Sequence, residues 1–101
     1  MQITTTTSGD QANITLAGRF QFNTHREFRD AYEPFVGHPA VSRIVLDFAG
    51  VEYLDSAALG MLLLLREKLL DARKSIEITG SQGLVRQVLD IANFSRLFPI
   101  S

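Results

Sequence analysis

Ile44-Val45-Leu46-Asp47-Phe48-Ala49-Gly50-Val51-Glu52-Tyr53-Leu54-Asp55-Ser56-Ala57-Ala58-Leu59-Gly60 passes from a strand-like run to an abruptly apolar segment that continues to Leu65. Ile44 to Phe48, broken only by Asp47, has the pattern of a short central strand covered on both faces. Ala57 to Leu65 then reads as a helix, so strand, short loop and helix follow one another, with Asp55 and Ser56 at the junction. A helix start gathers unpaired N–H groups and the positive end of the peptide dipoles, so a phosphate carried there is stabilised. Aspartate and serine are also preferred helix caps, and a plain capping role accounts for the same two residues.

Working outward, Ile3 to Thr7 is rich in β-branched residues, Ser8-Gly9-Asp10 has turn chemistry, and Asn13-Ile14-Thr15-Leu16 alternates polar with apolar. These predict an opening hairpin closed by Gly18. Thr24-His25-Arg26-Glu27 fits a capping box, and Phe28, Ala31, Tyr32 and Phe35 recur at helical spacing until Pro34 and Gly37 end the helix. The central helix is expected from about Ser56 to Ala72. Ile76 to Thr79 alternates as a strand, and Ser81 is the expected cap of a third helix with Leu84, Val85, Val88, Leu89 and Ile91 facing the sheet. Leu97 to Ile100 forms either a short last strand or a packed tail. Strands alternating with helices in the order ββαβαβα imply a mixed, mostly parallel sheet.

The 101 residues suit one domain, spanning 1–101, with a core that needs no disulfide, and cysteine is absent. Ten basic and eleven acidic residues are scattered, without the basic stripe of a nucleic-acid binder. The start Met1-Gln2-Ile3-Thr4 lacks secretory signal character, and the apolar stretch to Leu65 is far short of the roughly 20 residues that cross a bilayer. A soluble cytoplasmic domain is expected, with no nucleic-acid partner and no direct membrane insertion.

The remaining chemistry is sparse. Asp47 ends a strand as a phospho-accepting aspartate would, but the acidic cluster that holds magnesium is lacking, so a loop-bracing role is expected. His25 and His38 have no ligand-spaced companions, so no metal is expected. Leu54-Asp55-Ser56-Ala57-Ala58 lacks both glycines of a nucleophile elbow, and no phosphate-cradling glycine loop is present. Neither an enzyme nor a cofactor is expected. Met61 to Leu65 is apolar around more than a turn, where a flanking helix needs only a stripe, so part of that face suits a partner. Of Phe20 and Phe22, one ring is expected in the core and the other at the surface near Ser56, as an aromatic anchor.

The blocks Ile14-Thr15-Leu16-Ala17-Gly18-Arg19-Phe20 and Ile44 to Gly60, with Phe28 on the helix between, resemble the STAS domain, the family of bacterial anti-sigma factor antagonists and their relatives. The resemblance covers about residues 11 to 98, and its most specific element is Asp55-Ser56-Ala57-Ala58-Leu59-Gly60. It implies a four- or five-stranded mixed sheet with about three helices mainly on one side. It further implies that Ser56 is phosphorylated by a serine kinase of the anti-sigma type and dephosphorylated by a PP2C-type phosphatase. In that family the unmodified form holds its partner, an anti-sigma factor or kinase, and the phosphorylated form lets go. Asp55 orients the phosphosite, and the partner surface is placed on Phe20, Gln21, Phe22, Asn23 and Tyr53 together with Ala57, Ala58 and Met61. This chain departs from the family at Gln21, where aspartate is frequent, and at Ala58, where glycine is usual. A common C-terminal helix has no counterpart before Ser101.

The expectation is therefore a phosphorylation-controlled protein-interaction switch in partner-switching regulation. The alternative is a constitutive accessory subunit of an ABC-type lipid-transport ATPase, as some STAS-like domains are.

Overall fold

Residues of high strand propensity on either side of Gly9-Asp10 make the first hairpin, with Gly9 supplying a positive φ of 61° at the turn. The computed structural model describes residues 1–101. Strand β1 (Gln2–Ser8) pairs antiparallel with β2 (Gln11–Phe20), from Gln2 opposite Ala17 to Ser8 opposite Gln11. β3 (Arg43–Leu54) lies parallel to β2, and β4 (Ser75–Thr79) parallel to β3, so the order is β1-β2-β3-β4. The crossovers are α1 (His25–Val36) and α2 (Ser56–Asp71), and α3 (Gly83–Ile91) follows β4. Single 3₁₀ turns occupy Phe22–Thr24 and Phe94–Arg96.

The helices cover one face of the sheet. Ala12, Ile44 and Ile76 form one row across the strands and Ile14, Leu46 and Ile78 the next, and both rows are buried. Over them pack Phe28 and Tyr32 of α1, Leu62, Leu65 and Leu69 of α2, and Val85 and Leu89 of α3. The intervening rows, Asn13–Val45–Glu77 and Thr15–Asp47–Thr79, point the other way and are polar except for Val45. Val45 made β3 read as covered on both faces, and only one face carries helices. At the end of β2, Phe20 lies 4.9 Å from Phe28 and 6.2 Å from Phe48, and Phe28 lies 5.2 Å from Tyr32. This aromatic set fixes α1 over the strand ends where the site lies, each pair contributing about 0.5–1.5 kcal/mol beyond its buried area.

Several local expectations are corrected. β3 does not end at Phe48 but runs to Leu54 without an intervening loop. Between Thr15–Asp47 and Phe20–Leu54, β2 advances five positions and β3 seven, so β3 carries two bulged residues. Ala49-Gly50 reads as a turn, yet Gly50 is a close approach, since a Cβ there would lie 2.9 Å from the Ala17 Cβ. Gly18, with φ 98°, likewise sits inside β2 instead of closing the hairpin. Thr24 makes no capping box with Glu27, because its buried hydroxyl turns back to donate to the Gln21 carbonyl at 2.7 Å. Pro34 sits within α1, which continues to Val36. Gln82, not Ser81, holds the N-cap position of α3, and the Ser81 hydroxyl is buried without a partner. Leu84 and Ile91 are 62% and 82% exposed, because the inward stripe of α3 is centred on Val85 and Leu89. The tail makes a parallel bridge, Ile100 to Ile78, along the outer edge of β4.

Candidate functional site

The site lies where β2 and β3 end side by side, beyond the carboxyl ends of parallel strands. The last paired residues are Phe20 and Leu54, both buried, and the Asp55 N–H donates to the Phe20 carbonyl at 3.3 Å. The chain leaves β3 through Asp55 alone, whose extended backbone (φ −102°, ψ 177°) is that of an N-cap, and α2 begins at Ser56.

Asp55 uses both carboxylate oxygens. Oδ1 accepts from the Ala58 N–H at 2.8 Å, closing the first turn of α2, and Oδ2 accepts from the Phe22 N–H at 3.1 Å. One side chain thereby caps the helix and ties it to the β2–α1 connection. That connection is braced a second time, because the Thr24 hydroxyl accepts from the Gln21 N–H at 3.3 Å as well as donating to its carbonyl. The capping role that either residue could have filled belongs to Asp55. Ser56 is left exposed at the first helical position, and no hydrogen bond within the protein engages its hydroxyl. The N–H groups of this first turn that lack an intrahelical acceptor remain close by.

Around Ser56 the surface is apolar. Phe22 is 69% exposed, one residue beyond the buried end of β2. Helical spacing places Gly60, Leu63 and Leu64 on the Ser56 side of α2, and Leu63 and Leu64 are 37% and 49% exposed. Met61 and Leu64 form one wall of a groove of about 130 Å³ whose other wall is His25, Phe28, Arg29 and Tyr32 of α1. Further along the same seam, Lys68 pairs with Glu33 at 3.2 Å, and this hydrogen bond pushes the ammonium pKa up. Burial likewise raises the Tyr32 phenol, opposed by the nearby Lys68 charge.

The eight residues read as a partner surface therefore divide. Phe22 and Asn23 are exposed, and Gln21, Tyr53, Ala57 and Met61 are half-buried around the entry to α2. Phe20 and Ala58 are fully buried and cannot touch a partner; they support the surface from below, since Phe20 is the inward ring of the pair and Ala58 faces the sheet. Leu63 and Leu64 are the exposed part of the Met61 to Leu65 face expected to suit a partner, whereas Gly60 was missed, although its spacing of four from Ser56 carries the signal. Sequence reasoning also missed Arg19, whose guanidinium lies 4.2 Å from the centre of the Tyr53 ring and brings a cation to the rim. Only the pairing of Arg19 with Tyr53 across two bulges reveals that contact. Asp47 braces the first bulge of β3, its Oδ1 accepting from the Ala49 N–H at 2.9 Å.

A family described as "Mlab, STAS domain" matches residues 3–99, and a STAS-domain containing protein of Pseudomonas aeruginosa is 44% identical over 93 residues, covering 92% of this chain and 90% of the relative. The chain belongs to the STAS domain family. Among solved structures, the STAS domain here superposes on the anti-sigma factor antagonist SpoIIAA in its unphosphorylated form with a TM-score of 0.83 at 16% identity, covering 99% of this chain and 88% of that one. The phosphorylated form of the Bacillus cell fate determinant SpoIIAA gives 0.76 at 15% identity, covering 99% and 91%. An anti-sigma factor antagonist from Mycobacterium paratuberculosis gives 0.85 at 18%, covering 98% and 83%. These likenesses establish the STAS fold. No helix of this STAS domain is long and apolar enough to cross a membrane.

Proposed function

We propose that the protein is an anti-sigma factor antagonist-like interaction switch whose acceptor is Ser56. The single observation that carries this reading is the division of labour at the head of α2. Asp55 does the structural work of the cap, and the neighbouring hydroxyl is exposed and unengaged. Support comes from the STAS family itself and from the fold shared with an antagonist known in phosphorylated and unphosphorylated forms.

The chemistry divides between this chain and its partners. A serine kinase of the anti-sigma type supplies ATP, magnesium and the base that takes the Ser56 proton, and a PP2C-type phosphatase supplies the reverse reaction. This chain supplies a rigid acceptor position and a docking surface. Phosphorylation adds about −1.5 to −2 charge at pH 7. The helix start tolerates that charge, with dipole stabilisation of about 0.3–1 kcal/mol offsetting repulsion from Asp55. A docked partner presses its own surface onto Phe22, Ala57, Gly60 and Leu64, and a dianion among those apolar contacts loses its hydration. Like-charge contact at an interface costs several kcal/mol, and about 2.7 kcal/mol is already a hundredfold in affinity. A switch follows without a change of fold.

Partner capture from the native host by wild type, Ser56→Ala and Ser56→Asp tests the reading. Wild type and Ser56→Ala are expected to retain an anti-sigma factor or kinase that Ser56→Asp loses. Equal capture by all three contradicts it and leaves the constitutive-subunit alternative, the more so if the captured protein is a membrane ATPase.

A further inference from the structure

The two edges of the sheet are finished differently. Along β4 the chain's own tail covers the edge. The Ile78 N–H donates to the Pro99 carbonyl at 2.9 Å, the Ser101 N–H to the Ile78 carbonyl at 3.0 Å, and the Gly80 N–H to the Ser101 carbonyl at 3.2 Å. At the opposite edge, β1 pairs with β2 and with nothing else. Its register is free of bulges over all seven residues, and every residue but Ile3 is exposed. Alternate residues of such a strand aim their N–H and C=O groups outward, a template for another strand. Proteins blunt such edges with lysine, proline, inward charge or a bulge, and Gln2-Ile3-Thr4-Thr5-Thr6-Thr7-Ser8 contains none of these. Its threonines instead favour strand pairing.

We propose that β1 pairs antiparallel with β1 of a second copy, giving a two-fold symmetric dimer with one continuous sheet of four strands from each protomer. The strand is complementary to itself. About an axis at Thr5, Thr5 meets Thr5, Thr4 meets Thr6, Ile3 meets Thr7 and Gln2 meets Ser8, so every contact is between uncharged residues. The like-charge penalty that keeps most edge strands apart is therefore absent. A charged partner strand would find nothing on β1 to neutralise it, whereas a second copy needs nothing. α1 packs over the core side of β1, and its exposed Arg26, Glu27, Arg29, Asp30 and Glu33 mix both signs. Two such helices brought together above the seam do not set one sign against itself. The contact is isologous and closes at two copies. It is also independent of the switch, because β2 separates β1 from β3 and α2.

Sedimentation equilibrium of the full chain over a wide concentration range is expected to show a reversible monomer–dimer equilibrium. Thr4→Lys with Thr6→Lys sets lysine opposite lysine at both pairs and is expected to weaken the dimer about tenfold or more with the melting temperature preserved. Because the chain has no cysteine, Thr5→Cys tests the register cleanly. Facing Cα atoms across an antiparallel pair lie ~4.5–5.5 Å apart, within disulfide reach, so oxidation is expected to yield a covalent dimer. Leu84→Cys, also at an exposed position but on α3, is expected to stay monomeric. A chain that is monomeric at every concentration overturns the proposal, as does a dimer that ignores the lysines and fails to cross-link through Thr5→Cys. Addition of another protein's strand to β1 while the chain itself stays monomeric overturns it equally.

Discussion

Replacing Asp55 by alanine removes two hydrogen bonds made by one carboxylate, to the Ala58 N–H at 2.8 Å and the Phe22 N–H at 3.1 Å. Loss of an N-cap aspartate costs about 1 kcal/mol, within a range of about 0.5–2. A bond to a charged acceptor is worth about 1.5–3 kcal/mol when buried, and here the Phe22 end is solvent-exposed, so about 1 kcal/mol is the appropriate share. The sum is about 2 kcal/mol, a large part of the stability of a small domain. At this chain length it corresponds to a fall in melting temperature of about 8–16 °C. Asp55→Asn keeps one oxygen for the cap and is expected to lose about half as much. Ser56→Ala is the contrasting case: the hydroxyl is exposed and unbonded and alanine is the better helix former, so stability should stay within about 0.5 kcal/mol of wild type or rise slightly. Urea denaturation of the three variants, with unchanged m-values, measures all of this. If Asp55→Ala costs less than about 0.5 kcal/mol, or Ser56→Ala costs as much as Asp55→Ala, the assignment of cap and free hydroxyl is wrong.

Phe22→Ala, at a residue 69% exposed, is expected to leave stability within about 0.5 kcal/mol of wild type and to weaken partner binding by about 2 kcal/mol or more, read by calorimetric titration with the captured partner. Phe20→Ala, at a ring with no exposure, is expected to cost about 3–5 kcal/mol and to lose cooperative unfolding in circular dichroism. Gly50→Ala forces a methyl to 2.9 Å from the Ala17 Cβ and 3.2 Å from the Leu16 carbonyl oxygen, and about 1–3 kcal/mol of destabilisation is expected on urea denaturation.

The periodicity of apolar residues is enough to give the order of elements, the mixed and mostly parallel character of the sheet and the place of Ser56 at the head of α2. These depend on contacts close in sequence or on the side of the sheet a residue faces, which a period of two or 3.6 records. What stayed hidden depends on partners far along the chain. Asp55 could not be told from Ser56 as the cap, because its second bond reaches Phe22, 33 residues away. The continuation of β3 to Leu54 was concealed by Gly50, where a glycine required by close contact with Ala17 looks the same as a glycine required by a turn. Leu84 and Ile91 were assigned to the core by hydrophobicity alone, although the angle of α3 turns them outward. The family resemblance puts Phe20 and Ala58 on the partner surface, but Phe20, the last residue of β2, turns its ring into the core before the chain bends through Phe22–Thr24, and Ala58 lies on the sheet side of α2.

The central proposition is that a dianion on the Ser56 oxygen is compatible with the folded domain and incompatible with the docked partner. The most direct measurement takes protein phosphorylated stoichiometrically at Ser56 and the unmodified protein, and titrates the same partner into each. Binding weaker by about a hundredfold or more, ~2.7 kcal/mol, is expected for the phosphorylated form, with melting temperatures that agree within a few degrees. Equal affinities for the two forms, or a phosphorylated domain that unfolds, would contradict it.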